Sequence, residues 1–298
     1  MFAETQSIAK PNPGRFYYEG DGCLKLRWDK SKRKYDGCYR SKDGAYGQAQ
    51  LKKLNQFFNV PADIQENFSL RTLAFLDFLE DKFSKGKTLT ITSGYRSPNY
   101  NESLRKKGAL AGKTSYHLDA MAVDVKFPGV KSETVWEYAR SLKYGGAGYY
   151  RSKAIHIDSG KPRNWTPENA IDPDDKPPLN QNIYMSVDKD IYLPGETIHM
   201  FFSGVSDYPF GLKSMMTITQ DNQNILDISP DIKGNFVKDC IFMEKKDQIR
   251  NISWKIPSDF SSKNQKMKIH VRFCDPIHGN QPKEIDSREF EVINHAKI

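Results

Sequence analysis

Cysteine is scarce in this 298-residue chain: four copies, at Cys23, Cys38, Cys240 and Cys274. None stands in a CxxC or other zinc-ligand spacing, which excludes a thiolate-held zinc ribbon or finger. Long apolar runs are missing too, since no stretch approaches the ~20 residues that a membrane-spanning helix needs. The opening Met1-Phe2-Ala3-Glu4-Thr5 lacks the basic start and apolar stretch of a signal peptide. One reading is that the numbering begins at or near a mature terminus whose leader has been removed, placing the protein in the periplasm or outside the cell. The other is cytosolic residence. Internal repeats, low-complexity segments and recognisable nucleic-acid modules are also missing.

What remains is the composition of a folded, water-facing protein, 38% hydrophobic and 28% charged, long enough for two domains. The formal charge of +8, with a pI near 9.1, suits an anionic partner such as nucleic acid, acidic lipid or acidic cell wall. It does not choose among them, because the basic residues are scattered apart from short runs such as Lys30 to Lys34. Two cysteines fall early and two late. That distribution permits one local disulfide per domain, Cys23–Cys38 and Cys240–Cys274, in an oxidising compartment. Four unpaired buried thiols are the alternative.

Hydrophobic periodicity divides the chain. Residues 1–45 read as an arm and a hairpin around Gly20-Asp21-Gly22, with Leu24, Leu26 and Trp28 alternating as strand residues do. Residues 46–165 read as an α+β domain with helices packed on a small antiparallel sheet. Leu51, Leu54, Phe57 and Phe58 predict one helix, and the apolar face from Leu70 to Phe83 predicts a second. Ser97-Pro98 signals a helix start, and a fourth helix is expected over 132–143. Strands are expected over 88–92, 122–127, 147–150 and 154–158. A proline-rich linker, 166–182, follows. In 183–298 about seven short strands separated by turns predict an all-β sandwich of immunoglobulin-like shape. His199, His270, His278 and His295 there read as ordinary strand, turn or tail residues, and Trp254, Phe201 and Phe202 as core. This domain is either a module for glycan, partner or substrate positioning, or a spacer or cleft wall.

Three residues in the first half carry the chemistry. Asp124 sits among apolar neighbours in an expected strand, where a carboxylate is costly unless paired or bound to a metal. His117 precedes it by seven residues, and His156 alternates with Ile155 and Ile157 on another strand, sharing a face with Asp158. Two imidazoles and a carboxylate suit zinc, and three protein ligands leave one position open for water. The bland reading is a surface histidine, a strand-end aspartate and a polar strand face.

The words around these residues are more specific. They run Ser93-Gly94-Tyr95-Arg96-Ser97-Pro98, with Asn101, Leu104 and Arg105 following, then Ser115-Tyr116-His117 to Ala122-Val123-Asp124. Gly145-Gly146-Ala147-Gly148-Tyr149-Tyr150, His156-Ile157-Asp158-Ser159-Gly160 and Arg163-Asn164-Trp165 complete the set. In order and spacing these blocks resemble the D-alanyl-D-alanine carboxypeptidase/hedgehog-fold zinc peptidases, in the branch that contains murein endopeptidase K. The resemblance covers about residues 85–165.

That resemblance implies zinc held by His117, Asp124 and His156, with Arg96 polarising the scissile carbonyl or holding a substrate carboxylate. It implies a peptidoglycan peptide as substrate, cut at crosslinks or stems. Ser115 is expected to support the first ligand or touch substrate. Tyr149, Tyr150 and Trp165 are candidates to line the cleft. Two positions depart from the pattern. Ala120 replaces a glycine, a change that a small residue accommodates. Lys153 stands where relatives of the vancomycin-resistance type carry an acid, so Asp158 becomes the candidate for an acid–base or supporting role, ahead of Asp119. The alternatives are a carboxypeptidase releasing D-alanine, and an inactive zinc- or wall-binding module, which Lys153 favours.

Overall fold

Two hydrophobic clusters organise the chain, one built from residues between Leu24 and Ile157 and the other from residues between Ile183 and Val292. The computed structural model describes residues 14–61, 67–108, 111–112, 114–169, 179–261, 265–274 and 279–293. The arm before residue 14, the prolines of the linker at 173, 177 and 178, and His278 and His295 lie outside these residues.

The first cluster is covered by helices α1 (Gln48–Phe58), α2 (Leu70–Phe83) and α4 (Ser132–Ser141), while α3 (Pro98–Lys106) buries only Asn101 and adds nothing to it. In α1 the buried side chains are Leu51, Leu54, Phe57 and Phe58, the three- and four-residue recurrence expected of one helix face. Asn59 ends α1 in the left-handed conformation, two residues before Pro61. Ser69 caps α2 by accepting from the Thr72 amide, and Ser97 caps α3 with Pro98 in its first turn.

The sheet beneath them is larger than expected and mixed. Its strands are β1 (Cys23–Trp28), β2 (Lys34–Cys38), β3 (Leu89–Ser93), β4 (Ala122–Lys126), β5 (Gly146–Tyr149), β6 (Ile155–Asp158) and β7 (Arg163–Trp165). They lie in the order β2-β1-β3-β4-β6-β5-β7, with β1 parallel to β3 and β5 parallel to β7. The hairpin joins this sheet because Leu24 and Leu26 must bury their side chains, and β3 offers the edge that does so. At the other edge β7 has three residues and no buried apolar alternation, so periodicity gives no sign of it.

The second half holds thirteen short strands among the described residues, against the seven expected. They form sheets of four, three, four and two strands. The excess comes from short or polar strands such as Gln223–Ile228, which buries one of its six residues. Cys23 bonds to Cys38 across the hairpin and Cys240 to Cys274 in the second half, the pairing expected for an oxidising compartment. Among the described residues no helix is long and apolar enough to cross a membrane.

The two cores meet through buried polar contacts. Arg71 at the start of α2 bonds the Asp190 carboxylate and the Val187 carbonyl, and the Tyr144 hydroxyl donates to the same aspartate. Arg288 donates to the carbonyls of Ser159 and Gly160 at 3.1 and 3.0 Å. Such groups are costly to bury unless partnered, and here they are partnered across the junction.

Candidate metal centre and cleft

Strand register places the chemistry. Ser93 pairs with Asp124, Asp124 with His156, His156 with Gly148, and Gly148 with Trp165. Directly opposed residues share a sheet face, so these five form one row across β3, β4, β6, β5 and β7. Two residues along the strands runs a second row, in which Ala122 pairs with Asp158 and Gly146 with Arg163. The glycines are spatial requirements. A methyl group on Gly148 would lie 2.5 Å from the Trp165 indole, and one on Gly146 would lie 2.2 Å from an Asp158 carboxylate oxygen.

His117 reaches this face from a 3₁₀ turn, Tyr116–Asp119, just before β4. Its Nδ1–H donates to the Gly94 carbonyl at 2.7 Å, which turns Nε2 inward. At His156 the outward nitrogen Nε2 donates to Asp158 Oδ2 at 2.8 Å, leaving Nδ1 inward. The inward atoms converge with Asp124 Oδ1. His117 Nε2 lies 3.2 Å from His156 Nδ1, His156 Nδ1 lies 2.8 Å from Oδ1, and His117 Nε2 lies 3.3 Å from Oδ1. Zinc ligands at ~2.1 Å on a tetrahedron stand about 3.4 Å apart, so the triangle is close to the size a zinc ion needs. This His-Asp-His group is buried and has the donor set to hold a metal ion.

Charges around it are arranged for a cation. Burial lowers the pKa of His117, so its ring is held neutral with a lone pair on Nε2. For His156 burial acts the same way, but hydrogen bonds to Asp124 and Asp158 outweigh it and the pKa rises. The carboxylates that favour a proton there favour a metal cation in its place. Burial opposes the charge of Asp124, yet the two histidines hold its pKa well below the usual range. Arg96 closes the other side: its Nε donates to Ser93 Oγ at 2.9 Å and its NH2 to Asp124 Oδ2 at 3.1 Å.

Two hollows flank this group. One, of about 380 Å³, is lined by His117, His156, Ser115, Trp165, Lys161 and Arg163, among others. The second, of about 700 Å³, is lined by Asp124, Ser93, Tyr100, Arg151 and Lys153, among others. Arg96 and Tyr150 line both, so the space runs past the His-Asp-His group on either side. Burial, then the Asp124 charge, raises the Tyr150 pKa and keeps its phenol a hydrogen-bond donor.

Seven of the expected site residues therefore stand on this cleft: Arg96, Ser115, His117, Asp124, Tyr150, His156 and Trp165. Tyr149 does not. Its ring stacks on Trp136 of α4, centroids 5.3 Å apart, because alternation along β5 turns it away from the face that Gly148 occupies. Asp158 is close but enclosed, with its side chain fully buried. Its Oδ1 accepts from the Gly146 and Gly160 amides and from Arg163, and its Oδ2 from His156 and Arg163. With its acceptor positions engaged inside the protein, its contacts are those of a group that orients His156, the supporting role expected alongside the acid–base one.

Sequence reasoning passed over Arg163, whose guanidinium lies 4.6 Å from the Tyr116 ring centroid and 4.9 Å from that of Trp165. The Arg-x-Trp spacing was its only signal. Asp119 is turned away into ion pairs with Arg250 and Lys246. A second carboxylate group, Asp21, Asp77 and Asp81, lies between the hairpin and α2, where Lys85 pairs with Asp81 and Asp21.

Comparison with known proteins fits this geometry. A family model described as peptidoglycan L,D-endopeptidase MepK matches residues 19–165. The MepK protein of Escherichia coli strain K12 is 34% identical over 122 residues, covering 40% of this chain and 67% of that protein. The chain belongs to the MepK family. The same figures hold for the Shigella flexneri MepK protein. A probable MepK of Haemophilus influenzae is 38% identical over 78 residues, 26% of this chain and 42% of that protein. The MepK match begins within four residues of β1 and ends at Trp165, so it takes in the whole seven-stranded sheet. The second hydrophobic cluster lies beyond it.

Proposed function

We propose that this protein is a zinc-dependent peptidoglycan endopeptidase that cleaves an L,D peptide bond of cell-wall crosslinks. Membership in the MepK family supports the reaction class, and zinc dependence is the family's property. The observation that carries the endopeptidase reading is the pair of hollows sharing Arg96 and Tyr150. A bond lying over the metal group then has room for peptide on both sides, whereas a carboxypeptidase needs one side closed.

His117 Nε2, His156 Nδ1 and Asp124 Oδ1 would hold the zinc. When bound, zinc supplies Lewis-acid polarisation of the carbonyl and lowers the pKa of water. Asp158 fixes the tautomer and ring plane of His156 through Nε2–H, a role that outer partners of metal-bound histidines fill generally. Arg96 places a fixed positive charge beside the reacting carbonyl, and the Tyr150 hydroxyl adds a neutral donor. Both are preorganised toward negative charge that develops in the transition state. Trp165 and Ser115 line the cleft where peptide would lie.

The flanking parts fit the same reading. We assign residues 1–45, 46–165, 166–182 and 183–298 as arm and hairpin, peptidase domain, linker and second domain. The first sheet supports a hedgehog/D,D-peptidase-like fold, and the mainly antiparallel strands of the second half support an immunoglobulin-like sandwich. The two disulfides support residence in the periplasm or outside the cell.

Incubation with purified peptidoglycan, followed by mass analysis of the products, tests the function. The expected result is conversion of crosslinked dimers to monomers without release of single amino acids. Release of terminal D-alanine alone would make the protein a carboxypeptidase, and an unchanged wall would leave a binding module.

A further inference from the structure

The turn that carries His117 is gripped from the second half of the chain. Asp119, two residues after the histidine, accepts from Arg250 NH2 at 2.8 Å and lies 2.9 Å from Lys246 Nζ. Asp119 and Arg250 are both largely buried, with side chains 17% and 15% exposed, so this ion pair is only weakly screened by solvent. One residue before the histidine, Tyr116 packs with Met121 and Ala122 against Phe201. The same half reaches the other ligand strand, since Arg288 holds the carbonyls of Ser159 and Gly160 just after β6. It also supplies Asn182 and Gly204 to the lining of the 380 Å³ hollow.

We infer that Arg250 is a positioning residue for the metal centre: by holding Asp119 it fixes the Tyr116–Asp119 turn and aims His117 Nε2 at the ligand triangle. The second half of the chain is then a working part of the site. The turn is four residues long and is held by few backbone bonds, from Leu118 to Ser115, Ala120 to His117, Met121 to Tyr116 and Ser69 to Ala120, none of which engages the Asp119 side chain. Its backbone also reaches Arg96, whose amide donates to the His117 carbonyl at 3.0 Å. Loosening the turn therefore disturbs the first ligand and the cleft arginine together. The inference rests on zinc occupying the His-Asp-His group.

Zinc affinity of the full chain, measured by chelator competition, tests it without relying on hydrolysis. Arg250→Ala and Asp119→Asn are each expected to weaken zinc binding about 10-fold, the low end of what is lost when a group bonded directly to a ligand is removed. The double variant should be little worse than Asp119→Asn alone, because the Arg250–Asp119 pair is already lost there, along with the Lys246 pair. Arg250→Lys should recover most of the affinity. Hydrogen exchange of the metal-free protein should quicken at residues 117–121 and stay unchanged in α1. Arg15→Ala breaks a different contact to the second half, the Arg15–Glu196 pair, and should leave zinc affinity unchanged. If Arg250→Ala fails to fold, Asp119→Asn decides the matter. Affinity within twofold of wild type in Asp119→Asn, or an equal loss in Arg15→Ala, would overturn the positioning role. Zinc bound normally by a wild-type protein that leaves peptidoglycan intact would instead count against the peptidase reading alone.

Discussion

Asp158 accepts five hydrogen bonds within one buried carboxylate, and one of them decides which nitrogen of His156 faces His117 and Asp124. The Asp158→Asn variant should therefore keep its fold but bind zinc 10–100-fold more weakly, as read by chelator competition. Unchanged affinity would remove Asp158 from the support of His156. His117→Ala and His156→Ala should each abolish zinc retention and hydrolysis together. Arg96→Ala and Tyr150→Phe should separate the two, lowering kcat by roughly 10²–10³ while sparing zinc. The His-Asp-His group was legible in the sequence because a carboxylate among apolar residues and a histidine in an alternating strand are costly without partners. Of the two roles expected of Asp158, acid–base or supporting, spacing could not favour one, because Gly146 and Arg163 close around it only once β5 and β7 are placed.

Helix positions followed from periodicity: α1 and α4 bury one face each, and α2 carries an apolar face but is buried on nearly every side. The strands were harder to read. β5 falls at the strand expected over 147–150 although it is mostly glycine and alanine, whereas β7, three residues long, shows no apolar alternation to mark it. Their spatial role predicts a sharp effect. Gly148→Ala puts a methyl group 2.5 Å from a rigid indole, so Trp165 must move. The expected cost is about 1–3 kcal/mol, checked by chemical denaturation, with a loss of activity exceeding the loss of stability. On α2, Asp77 accepts from the Gly22 amide and the Tyr39 hydroxyl while Asp21 and Asp81 stand nearby. Burial, helped by those two carboxylates, raises its pKa from 3.8 to about 7. A raised carboxylate binds its proton more tightly in the folded state. Its contribution is therefore fully present below pH 3.8 and is lost as pH rises through about 7. Relative to Asp77→Asn, the wild type should lose up to roughly 4 kcal/mol across that window. A stability difference independent of pH would contradict this.

Over the whole molecule, two cores share one cleft, and the contacts between them include buried ion pairs, carbonyl bonds and the packing of Tyr116 and Met121 against Phe201. The sequence reading foresaw a second, all-β half but not its grip on the His117 turn, because pairs such as Asp119 and Arg250 lie 131 residues apart and leave no local pattern. The second half is tied by its own disulfide, which closes a loop of 34 residues. Replacing Cys240 and Cys274 by serine should lower its stability by about 2–4 kcal/mol, seen as a lower midpoint in thermal unfolding. The central claim is that one zinc ion sits within the His117, Asp124 and His156 triangle. Anomalous diffraction from crystals of the zinc-loaded protein, collected on both sides of the zinc edge, tests it most directly. The account predicts one strong peak at ~2.0–2.2 Å from His117 Nε2, His156 Nδ1 and Asp124 Oδ1. A triangle without a peak, or a peak only at Asp21, Asp77 and Asp81, would contradict it.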